Sequence, residues 1–403
     1  MLRFGVNYVP SKDWFYSWQD VDKTATDEDM HAIKEIGADH IRMHLRWDIF
    51  QPNEAFVCPK PLKDLVAVLD SAGRYGLDVE ITALNGWMSG FWFLPSFAVD
   101  KSIITDGGII AAEKYFLQDL AQATADHPSL MGVDIGNEIN MFGANRIPFT
   151  VSEGDRWLRE MLGLTDELFL DKINVVGVDH QPWFSDAYFS REALSSAGSV
   201  TALHCWTGFS GALKYGADSE ECLGLQRFCI ELADAYARPG RKAWVQEFGI
   251  TDEWVSEDSF ERYMVASMNA AAECENLWGF TWWCSHDIDR RFKGFNSMEY
   301  GLGLLDAANR PKPLAAEYKR QIEKMKKRGA GERQTAKMPA SGTDVRKGAA
   351  IVIDESEPFD GWKYGRAFAR FSRQGRHIRF VTSSRADDEK YLADRGITEL
   401  IRL

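Results

Sequence analysis

Two glutamates stand out by what precedes them. Glu138 follows the apolar run from Gly132 to Ile135 in MGVDIGNEIN, directly after Asn137, and Glu247 follows Ala243, Trp244 and Val245 in AWVQEFGI. A carboxylate at the end of a buried apolar segment is costly unless it is paired or used. Two such carboxyls held about 5 Å apart can cleave a glycosidic bond with retention: one protonates the leaving oxygen while the other attacks the anomeric carbon. A lone glutamate at such a place reads as a salt-bridged strand end. Two of them, with Asn137 beside the first and aromatic residues near other strand ends, read as a catalytic pair.

The elements that must position this pair alternate along the chain. Strand-like runs fall at 4–9, 40–45, 78–84, 132–136, 173–178, 200–205, 243–248 and 277–282, separated by helical patterns at 27–36, 60–75, 108–125, 155–168, 220–237 and 259–274. Alternation of this kind predicts a parallel sheet with crossover helices, and eight strands predict an α/β fold of the (β/α)8 TIM-barrel type. Active sites of such barrels lie at the C-terminal ends of the strands, where the fourth and seventh face each other across the mouth. A doubly wound open sheet is the competing architecture, but no GxGxxG follows the first strand.

Residues 1–325 therefore read as the barrel. Residues 326–349 are basic, rich in small residues and without apolar periodicity, and read as a linker. Residues 350–403 spell β-α-β-α-β, a small α/β appendage similar to the start of a flavodoxin-like unit. Its core is weak alone, so it is expected to pack on the barrel or to make a homo-oligomer contact.

Bulk properties narrow the partners. A formal charge of −13 argues against a nucleic-acid surface, which requires clustered Lys and Arg. No apolar run is long enough to span a bilayer and no secretory signal is visible, so a cytoplasmic location without membrane contact is expected. The 14 Trp favour a sugar-binding site, because flat apolar rings stack on pyranose faces. Six scattered cysteines lack zinc-like spacing and read as reduced and mostly buried. His286, Asp287 and Asp289 sit together but read as a solvated or substrate-contacting loop. Neither a metal nor a cofactor is expected.

Taken in order, these motifs resemble glycoside hydrolase family 5 and its clan of (β/α)8 glycosidases, over roughly residues 1–325. The resemblance implies that Glu138 is the acid/base and Glu247 the nucleophile. It implies further that Arg42 in HIRMHLRW lies beside the nucleophile, that Asn137 meets the sugar 2-hydroxyl, and that His204 in ALHCW is the strand-six histidine. GFTWWCSHD is similar to the family's strand-eight tryptophan motif. Alternation lets one of Trp282 and Trp283 face inward, and Trp282 is favoured.

The sequence departs from the family pattern at three places. Ile139 stands where Pro usually follows the glutamate, Trp206 where a Tyr often assists the nucleophile, and LNGW where strand three usually ends in His. The first two leave the nucleophile's hydrogen-bonding partner open. The third, with Asn85 and Trp87, is closer to mannan-active members.

Enlarged loops at 87–106, 140–153 and 284–304 can wall a cleft into a pocket, which implies removal of terminal sugars. The chain thus resembles the bacterial exo-β-mannosidase branch of the family. That resemblance implies a short β-linked oligosaccharide such as mannosyl-β-1,4-N-acetylglucosamine as substrate. An endo-acting mannanase, or a β-glucanase or β-glucosidase with the same glutamates, is the alternative. A non-catalytic sugar-binding barrel is the rival from another class.

Overall fold

Short strands with apolar interiors, each returned to the same end by a helix, pair in parallel. The computed structural model describes residues 2–335 and 348–403. The strands are β1 (Arg3–Tyr8), β2 (His40–His44), β3 (Asp78–Thr82), β4 (Leu130–Asp134), β5 (Ile173–Val175), β6 (Thr201–His204), β7 (Ala243–Phe248) and β8 (Leu277–Trp282). Their spatial order is β5-β4-β3-β2-β1-β8-β7-β6, so the sheet curls into the expected (β/α)8 barrel with a seam between β5 and β6. Ser199 bridges that seam: its N–H donates to the Asn174 carbonyl at 2.8 Å and its Oγ accepts from the Asn174 N–H at 3.0 Å.

The outer helices start where side chains satisfy their first N–H groups. Asp22 accepts from the backbone of Thr24 and Ala25 ahead of helix Lys23–Glu35, and Thr150 and Glu153 form a reciprocal capping box ahead of Val151–Leu168. The second helix buries Trp157, Leu158, Met161 and Leu162 on one face, and each such side chain contributes roughly 1.5–3 kcal/mol on burial. The helix expected over 220–237 is divided at Gly224 into Glu220–Leu223 and Leu225–Tyr236. Among the described residues no helix is long and apolar enough to cross a membrane. Five of the six cysteines are buried, and all are unpaired.

The appendage is a parallel three-stranded sheet of β9 (Gly348–Ile353), β10 (Ile378–Thr382) and β11 (Ile397–Ile401), in the order β10-β9-β11, with helices Gly361–Ser372 and Glu389–Asp394. It packs on the barrel. Phe228, from barrel helix Leu225–Tyr236, meets Phe368 and Phe380 at ring separations of 5.8 and 5.5 Å, and the Trp362 indole donates to the Ser210 carbonyl at 2.8 Å. Helix Pro313–Thr335 runs into the stretch read as a linker from 326. Residues 336–347 of that stretch lie outside the described residues.

Candidate active site

Strand β7 delivers two consecutive side chains to the barrel interior. Between Val245 and Phe248 it carries one residue more than β8 does between their partners Phe280 and Trp282, and the register against β6 slips at the same place. Such a bulge breaks the alternation of faces. Gln246 therefore points down the barrel axis, where its amide reaches Glu80 on β3, and Glu247 points to the mouth.

Glu138 lies just beyond β4, with φ at 44°, a left-handed conformation rare for a residue with a Cβ. Backbone of this kind costs on the order of 1–3 kcal/mol and persists where the surroundings impose it. Here it turns the carboxyl toward β6 and β7. Glu138 Oε1 lies 3.1 Å from His204 Nδ1, and the same nitrogen is 3.4 Å from Glu247 Oε2. The facing atoms of the three side chains all fall within 4.8 Å of one another. That spacing could also hold a cation, but the Glu247 oxygens and His204 Nδ1 already have protein partners with which a cation would compete.

Beneath the carboxyls, Arg42 is fully buried and donates in four directions. Its Nη1 reaches Glu247 Oε1 at 2.5 Å and Asn7 Oδ1 at 3.0 Å, while its Nη2 reaches Asp134 Oδ2 at 2.8 Å and Asn137 Oδ1 at 2.9 Å. The Trp206 indole N–H donates to Glu247 Oε2 at 3.2 Å. Both Glu247 oxygens thus face donors that hold the carboxyl in place. Trp206, standing where the family often has Tyr, is the partner the sequence left open.

Burial and neighbouring charge shift the protonation of Glu138 and His204. Burial pushes the Glu138 carboxyl above its usual range, against the opposing hydrogen bond to His204 and aided by the charge of Glu247. Burial alone would lower His204, but the Glu247 charge and the Glu138 hydrogen bond leave it raised. A carboxyl disposed to be neutral, beside one whose oxygens face only donors, can protonate a leaving group while its neighbour attacks a carbon.

The two carboxyls open into a cavity of about 540 Å³, within the range that holds small ligands. Trp87, Asn137, Trp206 and Trp283 line it beside them. Asn137 is fixed by Arg42 and by donating from Nδ2 to the Trp87 carbonyl at 3.1 Å. The walls come from residues 87–90, after β3, and 294–302, after β8. Two expectations need correction. Trp282 is fully buried outside the cavity, against Phe248 and Tyr318, with its indole donating to the Leu302 carbonyl at 3.2 Å. The reason is the strand period: Thr281 faces the interior, bonding His40 and Trp244, so Trp282 faces the helices and Trp283 returns inward. Asn85 is 1% exposed and absent from the lining, with neither amide atom hydrogen-bonded. Arg42 lies beside Glu247 as expected, and His204 touches both carboxyls; the two do so from behind and do not line the cavity.

His286 is also a packed residue, bonded to the Val9 carbonyl and Asn309, and Asp287 is paired with Lys312.

Sequence reasoning missed Glu299, Ser89, Gln246, Asp134 and Glu80. Glu299 lines the cavity and accepts from Ser89 Oγ at 3.0 Å; burial, reinforced by Glu247 and Glu138, pushes it up to about 7. Nothing local in the loop sequence NSMEYG marks it. Glu80 and Asp134, by contrast, are charges inside buried strands, DVEIT and LMGVD, and that pattern could have found them.

No family model and no curated protein matches the sequence. Solved structures do. The chain is similar to GH5_18 of Streptomyces cattleya in a complex with Manβ1-4GlcNAc, at 32% identity over 100% of this chain and 99% of that one, with a TM-score of 0.90. It is similar to GH5_18 of Bifidobacterium longum subsp. infantis at 30% identity, over 100% and 97% of the two chains, with a TM-score of 0.90. A GH5_18 of Bifidobacterium longum subsp. longum, also in complex with Manβ1-4GlcNAc, matches at 29% identity over 100% and 96%, with a TM-score of 0.89.

Proposed function

Because the chain belongs to glycoside hydrolase family 5, we propose that it is a retaining exo-β-mannosidase that releases mannose from mannosyl-β-1,4-N-acetylglucosamine or a short β-1,4-linked manno-oligosaccharide. The observation that carries this reading is the approach of Glu138 and Glu247, carboxyl oxygens within 4.8 Å over one cavity. That separation suits direct attack on the anomeric carbon. An inverting pair stands about 6.5–9.5 Å apart to admit a water.

In this reading Glu138 gives its proton to the glycosidic oxygen as the C1–O bond breaks, and Glu247 forms the new bond to C1. Water, deprotonated by Glu138, then releases the sugar. Asn137 stands beside Glu138 to meet the 2-hydroxyl, and Trp283 offers its flat face to the ring. Exo action is supported by the loop walls at 87–90 and 294–302, and the mannosyl substrate by the Manβ1-4GlcNAc bound to two relatives. A cytoplasmic site of action and a homo-oligomer contact through the appendage belong to the same reading.

Proton NMR of the first product decides the stereochemistry: β-mannose appearing before mutarotation is expected, and α-mannose first would overturn retention. A 2-deoxy-2-fluoro-mannosyl fluoride should add one sugar mass to the peptide holding Glu247, and label found elsewhere would remove its assignment. Cleavage within polymeric mannan at rates matching the disaccharide would overturn the exo reading.

A further inference from the structure

Gln246 has no place in the mechanism above, yet it is fully buried under it and bonded at both ends. Its Nε2 lies 3.1 and 2.9 Å from the two oxygens of Glu80 and 3.3 Å from Asp134 Oδ2. Asp134 is held by donors on both oxygens: Arg42 on Oδ2, and the backbone N–H groups of Gly136 and Gly177 on Oδ1. An amide end that faces three carboxyl oxygens presents its NH2 group to them, and Glu80, which burial raises, keeps an accepting oxygen even when protonated. Its carbonyl oxygen, Oε1, is thereby aimed the other way, 3.0 Å from His204 Nε2.

A carbonyl oxygen can only accept, so His204 carries a proton on Nε2. Neutral His204 then has a lone pair on Nδ1, the nitrogen 3.1 Å from Glu138 Oε1. That lone pair can accept only from a protonated Glu138, because Glu247, the other carboxyl near Nδ1, is occupied by Arg42 and Trp206. The opposite tautomer, with its proton on Nδ1, would donate to the carboxylates and stabilise an ionised Glu138.

We infer that Gln246 is a positioning residue that fixes the tautomer of His204 and so keeps the leaving-group proton on Glu138. The inference rests on Glu138 being the acid of the proposed mechanism. The transfer balances simply: Glu138 loses one proton to the glycosidic oxygen, and regains one from the water that releases the sugar. His204 is neutral and accepting while Glu138 holds its proton, against the Glu247 charge that raises His204. The charged or titratable groups facing this pair are Glu247, Arg42 and His44 around His204, and Glu247, Asp179 and Glu299 around Glu138. Gln246 is the neutral member that orients the ring.

The test compares Gln246→Met with the parent enzyme on two substrates, Manβ1-4GlcNAc, whose leaving group needs a proton, and 2,4-dinitrophenyl β-mannoside, whose leaving group does not. The variant should lose at least about tenfold more kcat/KM on the first than on the second, and its high-pH limb on the disaccharide should move to lower pH. Equal losses with an unmoved limb would overturn the inference. Glu138→Ala run on the same pair separates the two claims: if it too shows no leaving-group dependence, the assignment of Glu138 as acid fails first. Should Gln246→Met not fold, 15N NMR of histidine-labelled parent enzyme, with His204→Asn for assignment, reads the tautomer directly. A proton on Nε2 alone is expected, and a proton on Nδ1, whether in neutral or doubly protonated His204, would sink the idea.

Discussion

Glu247 is held by two side chains of different kinds, and they are not interchangeable. Trp206 supplies one neutral N–H at 3.2 Å. Arg42 supplies a charge-assisted bond at 2.5 Å and at the same time holds Asp134 and Asn137. Replacing Trp206 with Phe keeps the ring and removes one hydrogen bond to a charged group, a loss of about 1.5–3 kcal/mol. Steady-state kinetics should therefore show kcat/KM lower by roughly ten- to a hundredfold with little change in melting temperature. Arg42→Met is expected to be worse in both respects. It leaves Glu247, Asp134 and Glu80 buried without their cation, which typically destabilises by about 3–5 kcal/mol; a denaturant midpoint equal to the parent's would contradict that. At this scale Glu138 and Glu247 were legible in the sequence because each follows an apolar strand run, while Arg42 and the role of Asn137 were reached through the family resemblance. Glu299 was not legible, since a loop carboxylate becomes part of a site only through the path of its loop.

At the scale of elements, the barrel was readable because eight apolar runs alternate with amphipathic helices, and β7 and β8 fall at the expected residues. What alternation could not show is the bulge in β7. A regular strand that points Glu247 to the mouth would turn Gln246 away from the axis, and this is why Gln246 was overlooked. The pair Trp282 and Trp283 was misjudged for a related reason: the inward phase of β8 is set by Thr281, a residue without an obvious sequence signal.

Close approach between elements also explains one glycine. A Cβ on Gly177, at the end of β5, would lie 3.0 Å from Arg42 Nη2, 3.0 Å from Asp134 Oδ2 and 3.1 Å from His204 Nε2. Gly177→Ala should therefore push apart the network under both carboxyls and lower kcat tenfold or more, roughly the loss one misplaced catalytic contact brings. Gly163, inside helix Val151–Leu168, meets nothing within 4 Å. Gly163→Ala should raise stability by roughly 0.5–1 kcal/mol with kcat unchanged. Thermal melts and kinetics on the two variants give opposite signs if the glycines differ as described.

For the whole molecule, the appendage is bound to the barrel by a charged seam as well as by Phe228. Glu231, on the barrel helix Leu225–Tyr236, is 3% exposed there. Burial, with the charge of Asp234, pushes it up to about 7 even though Arg379, Arg395 and Arg227 pull the other way. Its carboxyl is more readily protonated in the fold than in the unfolded chain. Glu231 therefore contributes most to stability below its unfolded pKa near 4.5, and that contribution is lost as pH rises toward about 7. Over that span the loss reaches about 3 kcal/mol. Glu231→Gln keeps the shape and removes the ionisation, so it should match the parent near pH 4 and exceed it at pH 8. Denaturant unfolding at the two pH values measures the difference. A gain of equal size at both would mean that packing, not charge, sets the effect, and a loss at pH 8 would mean that the three arginines bind an ionised Glu231 after all.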